Sequence, residues 1–218
     1  MQERAKATRR SLLEAAAQLF AEQGYAATSV NDISARSGRT SGAVYFHYTG
    51  KEGIAVAVVE DRFATWSQLA ARYGDETVPP LERLVALSYD IAHALTRDPV
   101  TRAGARLWAE RTVIKAPVPD PFALWTAAAT RLLAQARLAG HVNERVRPAR
   151  TARTLVRAFF GLCTLTEALE GTTVLDDRLT DWWHLTLPSL RPQPSRETLP
   201  GTINSKIIPG RSVNVTTP

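Results

Sequence analysis

The sequence predicts an all-α fold, with an N-terminal three-helix domain carrying a helix-turn-helix and a larger C-terminal helical domain behind it. Three observations lead there. Apolar residues recur three and four apart along almost the whole chain, the spacing of one buried helical face. No stretch alternates apolar and polar residues with the period of two that a half-buried strand requires. Glycines, prolines and short polar residues fall between the periodic segments, where helices must start and stop.

The first helix carries Leu12, Leu13, Ala16, Leu19 and Phe20 on one face and closes at Gly24. Ahead of it, Arg4, Lys6, Arg9 and Arg10 form a basic arm with only Glu3 against it. Such an arm is either a solvated terminus or a contact for DNA backbone. Ser29 with Asp32 three residues on is a pair in which each side chain satisfies a backbone N–H of the other's turn. A helix is therefore expected from about Val30 to Ser37, with Ile33 as its buried anchor. Gly38 lacks the Cβ that obstructs a left-handed helix end, and Thr40 is placed to cap the next helix. From Ser41 to Tyr48 there is room for barely two turns, with Val44 and Tyr48 on one face and Ser41, Ala43 and Tyr45 on another. So short a helix is not stable alone. It must be held by neighbours while presenting small and hydroxyl-bearing side chains outward, as a recognition helix does in a DNA major groove.

Ile54, Val58, Val59, Phe63, Trp66, Leu69 and Tyr73 draw a long connector helix that stops at Gly74. Pro79 and Pro80 open another helix, since proline in a first turn costs no hydrogen bond, and Asp98-Pro99 breaks it. A shorter helix runs through Ala103, Leu107 and Trp108, after which Pro117, Pro119 and Pro121 favour an extended linker. Helix resumes at Phe122 and stops at Gly140. The last two helices, from about Pro148 to Glu170 and Asp177 to Leu190, carry more apolar surface than one small body needs. The expected domains are 1–50, 51–190 and, rich in Pro, Gly, Ser and Thr, a disordered tail over 191–218.

Composition removes several function classes. The 218 residues suffice for a small module plus a body with its own core. No run approaches the ~20 apolar residues that cross a bilayer, and the N-terminus lacks a signal-peptide core, so a cytoplasmic protein with no membrane partner is expected. Cys163 is the single cysteine, which leaves no intrachain disulfide or cysteine-based zinc site and points to a packing role. The net charge of +6 favours polyanionic partners. His47, His93, His141 and His184 are scattered, and no His-x-x-x-His pair, Gly-rich phosphate loop or Gly-x-Ser-x-Gly elbow occurs. No catalytic residue, metal site or cofactor is expected.

At Ile33-Ser34, Ser37-Gly38, Thr40, Gly42, Tyr45, His47-Tyr48 and Lys51-Glu52 the chain resembles the N-terminal signature of the TetR family of one-component transcriptional repressors. The resemblance implies that 1–50 is a DNA-binding domain and 51–190 a ligand-binding and dimerisation domain, whose final two helices pair with their copies in a four-helix interface. Thr40, Ser41 and Ala43 suit base edges, and Tyr45, His47 and Lys51 suit phosphates. So few base contacts per copy discriminate poorly, so a homodimer on palindromic double-stranded operator DNA is expected. Arg39 stands where the family usually has an apolar residue; it reaches a phosphate or a guanine edge, or it is a solvated turn residue. Gly53 precedes Ile54 where a polar or acidic residue is common in the family.

The run from Pro119 to Trp125, with Arg106-Leu107 before it and Gly161 after it, looks like the γ-butyrolactone receptor branch of that family. There a Trp at the place of Trp125 lines the pocket for a small lipophilic effector. Tyr89 and Thr130 are candidate polar groups for the ligand's head, and Phe159 a candidate apolar wall, although each aromatic position also reads as plain core. Arg62 either faces solvent or, if buried, pairs with a carboxylate such as that of a furan carboxylic acid. The implied function is an operator-binding repressor, released by a γ-butyrolactone- or furan-type effector and controlling secondary metabolism. Two alternatives stay open: a multidrug-responsive repressor of an efflux gene, and, in a different class, a non-DNA-binding helical adaptor or an enzyme.

Overall fold

The computed structural model describes residues 2–73, 77–120 and 122–192, and for 62–72 the backbone alone. The expected helix stop at Gly74, the side chain of Arg62 and the tail from residue 193 lie outside the described residues. Among those described, nine α-helices and two single 3-10 turns occur, and no strand. The helices are α1 (Gln2–Ala27), α2 (Val30–Ser37), α3 (Ser41–Tyr48), α4 (Lys51–Arg72), α5 (Pro80–Arg97), α6 (Pro99–Ala109), α7 (Ala123–Leu138), α8 (Pro148–Leu169) and α9 (Leu175–Leu190).

The basic arm is helical from its second residue. Lys6 and Arg10 pair with Glu3 and Glu14 along α1, exposed ion pairs of small energetic weight. Gly24 leaves helical geometry at φ 83° and ψ 178°, so α1 kinks there and makes one more turn to Ala27. The Ser29–Asp32 capping box forms: Ser29 Oγ accepts the Asp32 N–H at 3.1 Å and Asp32 Oδ2 accepts the Ser29 N–H at 2.8 Å. Gly38 closes α2 in the left-handed region at φ 65°, and Thr40 caps α3 by accepting the Ala43 N–H at 3.3 Å. Ser29→Ala is expected to cost about 1 kcal/mol near neutral pH in urea unfolding. The Ser29 hydrogen bonds hold the Asp32 carboxyl below its ordinary 3.8. Only the part supplied by the Asp32 carboxylate depends on pH: it is complete above the ordinary value and is lost as pH falls through the lower folded one, while the Ser29 Oγ bond to the Asp32 N–H persists. Asp98 does two jobs, closing α5 and capping α6 by accepting the Val100 and Thr101 N–H groups at 3.1 and 3.2 Å.

The chain forms two compact units. One comprises Met1–Arg72 with Ile91–Trp125; the other comprises Tyr73–Asp90 with the described part of Thr126–Pro218. An apolar cluster runs through the first, joining Leu12 and Phe20 of α1, Ile33, Val44 and Tyr48 of the helix-turn-helix, Ile54 and Val58 of α4, and Ala103 and Leu107 of α6. The three N-terminal helices thus share their core with α6, which lies against α1 and α4. In the second unit Leu132, Leu133, Phe159, Leu179 and Trp183 are buried, and Trp183 donates its indole N–H to Ser88 at 2.8 Å. Along α8, Leu155, Val156, Phe159 and Cys163 face inward, whereas Leu165 and Leu169 stand out in solvent with Leu185 of α9.

Candidate nucleic-acid interface

Val44 and Tyr48 pin α3 to the core, and Tyr48 also donates its hydroxyl to the Arg9 carbonyl at 2.7 Å. At about 100° per residue, the position opposite that buried pair is Phe46. Its ring is 82% exposed, next to Tyr45 at 59%. Phe46 is an exposed aromatic on the outer face of α3 that a search for small and polar groups passes over, yet counting round the helix from Val44 locates it. His47, half-buried, meets its ring edge to face at 5.0 Å.

The other expected DNA-side residues fall into three settings. Arg39 and Thr40 are exposed at the turn before α3, with Arg39 Nε donating a long 3.4 Å bond to Ser11. Ser41 and Ala43 turn toward α2 and the core: the Ser41 hydroxyl donates to Asn31 Oδ1 at 3.0 Å and accepts from Ser34 at 3.2 Å, and Ala43 packs on the apolar cluster. Tyr45 and Lys51 meet at a shallow cleft whose remaining wall is Ala26 to Asn31, including the first turn of α2. Lys51 donates to the carbonyls of Tyr25 and Thr28, both at 2.7 Å, and its ammonium lies 4.1 Å from the Tyr25 ring centre. Tyr25 donates its hydroxyl to Glu52 at 3.0 Å, and burial with that carboxylate pushes the phenol up to about 12. An ammonium, a phenol and a helix N-terminus around one open cleft are chemically suited to a phosphate.

The expected ligand residues are divided between the two units. Trp125 is buried in the first unit, at its end. Tyr89 and Phe159 lie in the second, both against α9: the Tyr89 hydroxyl shares a 2.6 Å hydrogen bond with Thr180, and the Phe159 ring meets Trp182 at 6.3 Å. Thr130 spends its hydroxyl on the Thr126 carbonyl one turn back, at 2.7 Å. An internal residue that the sequence did not flag is Arg83, only 4% exposed, which donates to the Tyr73 carbonyl at 2.9 Å and to Gln135 at 3.0 Å. Among the described residues no group of three or more His, Cys, Asp or Glu is placed to hold a metal, and no helix is long and apolar enough to cross a membrane.

Residues 12–58 match the model of the bacterial regulatory proteins of the tetR family, and residues 78–192, more than half of the chain, match a tetracyclin repressor-like C-terminal domain. The chain belongs to the TetR family. As a TetR protein it is 32% identical to the A-factor receptor protein of Streptomyces griseus over 189 residues, 87% of this chain and 66% of the receptor. A solved structure described as the molecular basis for control of antibiotic production by bacterial hormones is 39% identical, with a TM-score of 0.79 over 85% of this chain and 98% of that one. A γ-butyrolactone receptor described as ArpA-like is 32% identical at TM-score 0.74, covering 87% of this chain and 91% of its own. CprB of Streptomyces coelicolor, solved with its operator sequence, is 34% identical at TM-score 0.69, covering 87% and 91%. The resemblance first seen between Ile33 and Glu52 therefore extends through both units of this TetR protein, and the γ-butyrolactone receptors are among the proteins it is similar to.

Proposed function

We propose that the protein is a ligand-responsive transcriptional repressor of the cytoplasm, binding a palindromic operator as a homodimer and released by a small lipophilic effector of γ-butyrolactone or furan type, in control of secondary metabolism. The observation that carries this reading is likeness along nearly the whole chain, through the ligand-binding half as well as the helix-turn-helix, to receptors of bacterial signalling molecules. A multidrug sensor of an efflux gene has no comparable support in the C-terminal half. DNA binding is assigned to 1–50 and effector binding with dimerisation to 51–190, although α4 and α6 share the core of the N-terminal helices.

On the DNA side, the exposed Phe46 and Arg39 meet the groove, Phe46 against a thymine methyl, while Thr40, Ser41 and Ala43 set how closely α3 approaches. Tyr45, His47 and Lys51 hold phosphates, with Lys51 and the first turn of α2 sharing the cleft. Trp125, Phe159, Tyr89 and Thr130 are the proposed effector contacts, joined by Arg62 if the effector carries a carboxylate. The effector acts by population shift, favouring a conformation whose recognition helices no longer match major grooves about 34 Å apart. Complete reversal requires roughly 5.5 kcal/mol of differential affinity.

A mobility shift on the protein's own upstream region, with and without synthetic γ-butyrolactones and alkyl furans, tests the proposal. Retention that depends on base order and is abolished by one of these compounds is the expected result; indifference to base order would refute it. Phe46→Ala is expected to weaken operator binding by about tenfold and to relax selectivity at one base pair, read by competition with single-substituted duplexes.

A further inference from the structure

The turn from Gly24 to Thr28, between α1 and α2, is gripped from two sides. From α6, Arg106 donates to the last regular carbonyls of α1, Ala21 and Glu22, at 3.0 and 3.1 Å, and its Nε donates to Glu110 Oε1 at 3.0 Å. The other oxygen of Glu110 accepts the Tyr25 backbone N–H at 2.7 Å. From α4, Lys51 takes the carbonyl of the same Tyr25 and that of Thr28, and Glu52 takes its hydroxyl. The carboxylate of Glu110 thus holds one end of residue 25 and the ammonium of Lys51 holds the other. Gly24 is what lets the α6 pair come so close: a Cβ there would stand 2.6 Å from Glu110 Oε1 and 2.8 Å from an Arg106 nitrogen.

An ammonium has three N–H donors. Two are engaged by Tyr25 and Thr28, which fixes the ammonium beside the Tyr25 ring and in the wall of the cleft that Lys51 lines with Tyr45 and the start of α2. We propose that Arg106 and Glu110 are positioning residues for operator binding: by holding the Gly24–Thr28 turn they aim the Lys51 ammonium at a backbone phosphate, so that any displacement of α6 reaches the DNA-facing cleft through this turn. The inference rests on the repressor reading for its purpose and on the hydrogen bonds around Tyr25 for its mechanism. Neither Arg106 nor Glu110 touches DNA in this scheme.

The test has a DNA-free arm and a DNA arm, applied to Glu110→Ala and to the milder Glu110→Gln, which keeps one acceptor for two donors. In the DNA-free arm, the labelling rate of Lys51 by an amine reagent and the hydrogen exchange of the Tyr25 amide are followed by mass spectrometry. Each is expected to rise about tenfold in Glu110→Ala, as for loss of a charge-assisted hydrogen bond, and by less in Glu110→Gln. Unchanged Lys51 labelling in both variants overturns the proposal. In the DNA arm, affinity for a duplex selected by the wild-type protein from a random pool is measured against salt. Glu110→Ala is expected to lower affinity about tenfold and to flatten the salt slope by about 0.9 per protomer, the value of one phosphate contact. Lys51→Gln is expected to do the same, and the double variant no more than either, since the two act on one contact. Additive losses, or weakening with an unchanged slope, overturn the relay. If the wild type selects no duplex while Lys51 labelling still follows Glu110, the repressor reading fails and the mechanical link stands.

Discussion

Replacing Leu165 and Leu169 together by glutamate is expected to leave a folded monomer whose operator affinity has dropped about a thousandfold or more, to the level of non-specific binding. The two leucines lie four apart on α8, 61% and 79% exposed, on the side away from Leu155, Val156, Phe159 and Cys163. Leu185 of α9, 80% exposed, adds to the same kind of surface on the helix packed beside it. Leucines this bare on two adjacent helices are a poor surface for an isolated subunit and a good one for a second copy. Carboxylates in the middle of that contact would be desolvated without partners, a cost that a dimer does not survive. Light scattering reads the subunit count, a mobility shift reads the affinity, and an unaltered thermal melt of the monomer shows that the subunit itself is intact. A variant that remains dimeric removes this face from the interface.

The second large effect is expected at Gly53. A Cβ on this residue of the first turn of α4 would lie 1.6 Å from the Tyr48 carbonyl oxygen and 2.8 Å from its carbon. Those atoms are backbone and have little room to yield, because Thr49 at φ 56° and Gly50 at φ 115° already bend the chain tightly between α3 and α4. Gly53→Ala must therefore push the end of the recognition helix away from α4. Overpacking of this kind costs about 1–3 kcal/mol or more, and the melting midpoint should fall by roughly 2–4 °C per kcal/mol in a chain of this size. Operator binding should weaken with it. Gly161→Ala is the comparison within one subunit: a Cβ there meets nothing of its own chain within 4 Å. In mid-helix that change should be neutral or stabilising by up to about 1 kcal/mol. Equal melts for the two variants would show that the α3–α4 link tolerates what its geometry forbids.

Gly53 also shows where sequence reading stops. The bounds of α2 and α3 were legible to the residue, because the groups that set them, Ser29 with Asp32, Gly38 and Thr40, act within one turn of themselves. The glycine at 53 registered only as a departure from a family habit; its cause is a carbonyl five residues back that approaches only once the chain has folded. The signature places Lys51 at phosphates, but its hold on Tyr25 and Thr28 depends on α1 and α4 coming together. Glu110 and Tyr25 are 85 positions apart, and no local pattern announces that bond. The effector contacts stayed ambiguous for a different reason. An inward aromatic such as Phe159 is equally useful to a core and to a ligand, and the periodicity that finds it does not distinguish the two. The family resemblance was carried by a short N-terminal signature, and the matched residues extend to 192.

The lone Cys163 sits buried in α8, its thiol pushed up to about 12 by desolvation with a contribution from Glu167. At neutral pH it is protonated and shielded, so alkylating reagents and mild oxidants pass it by. With Thr49→Cys at that exposed position, each subunit would then carry one reactive thiol, and a spin label there turns the gap between two reading heads into a ruler for the unliganded and effector-bound states.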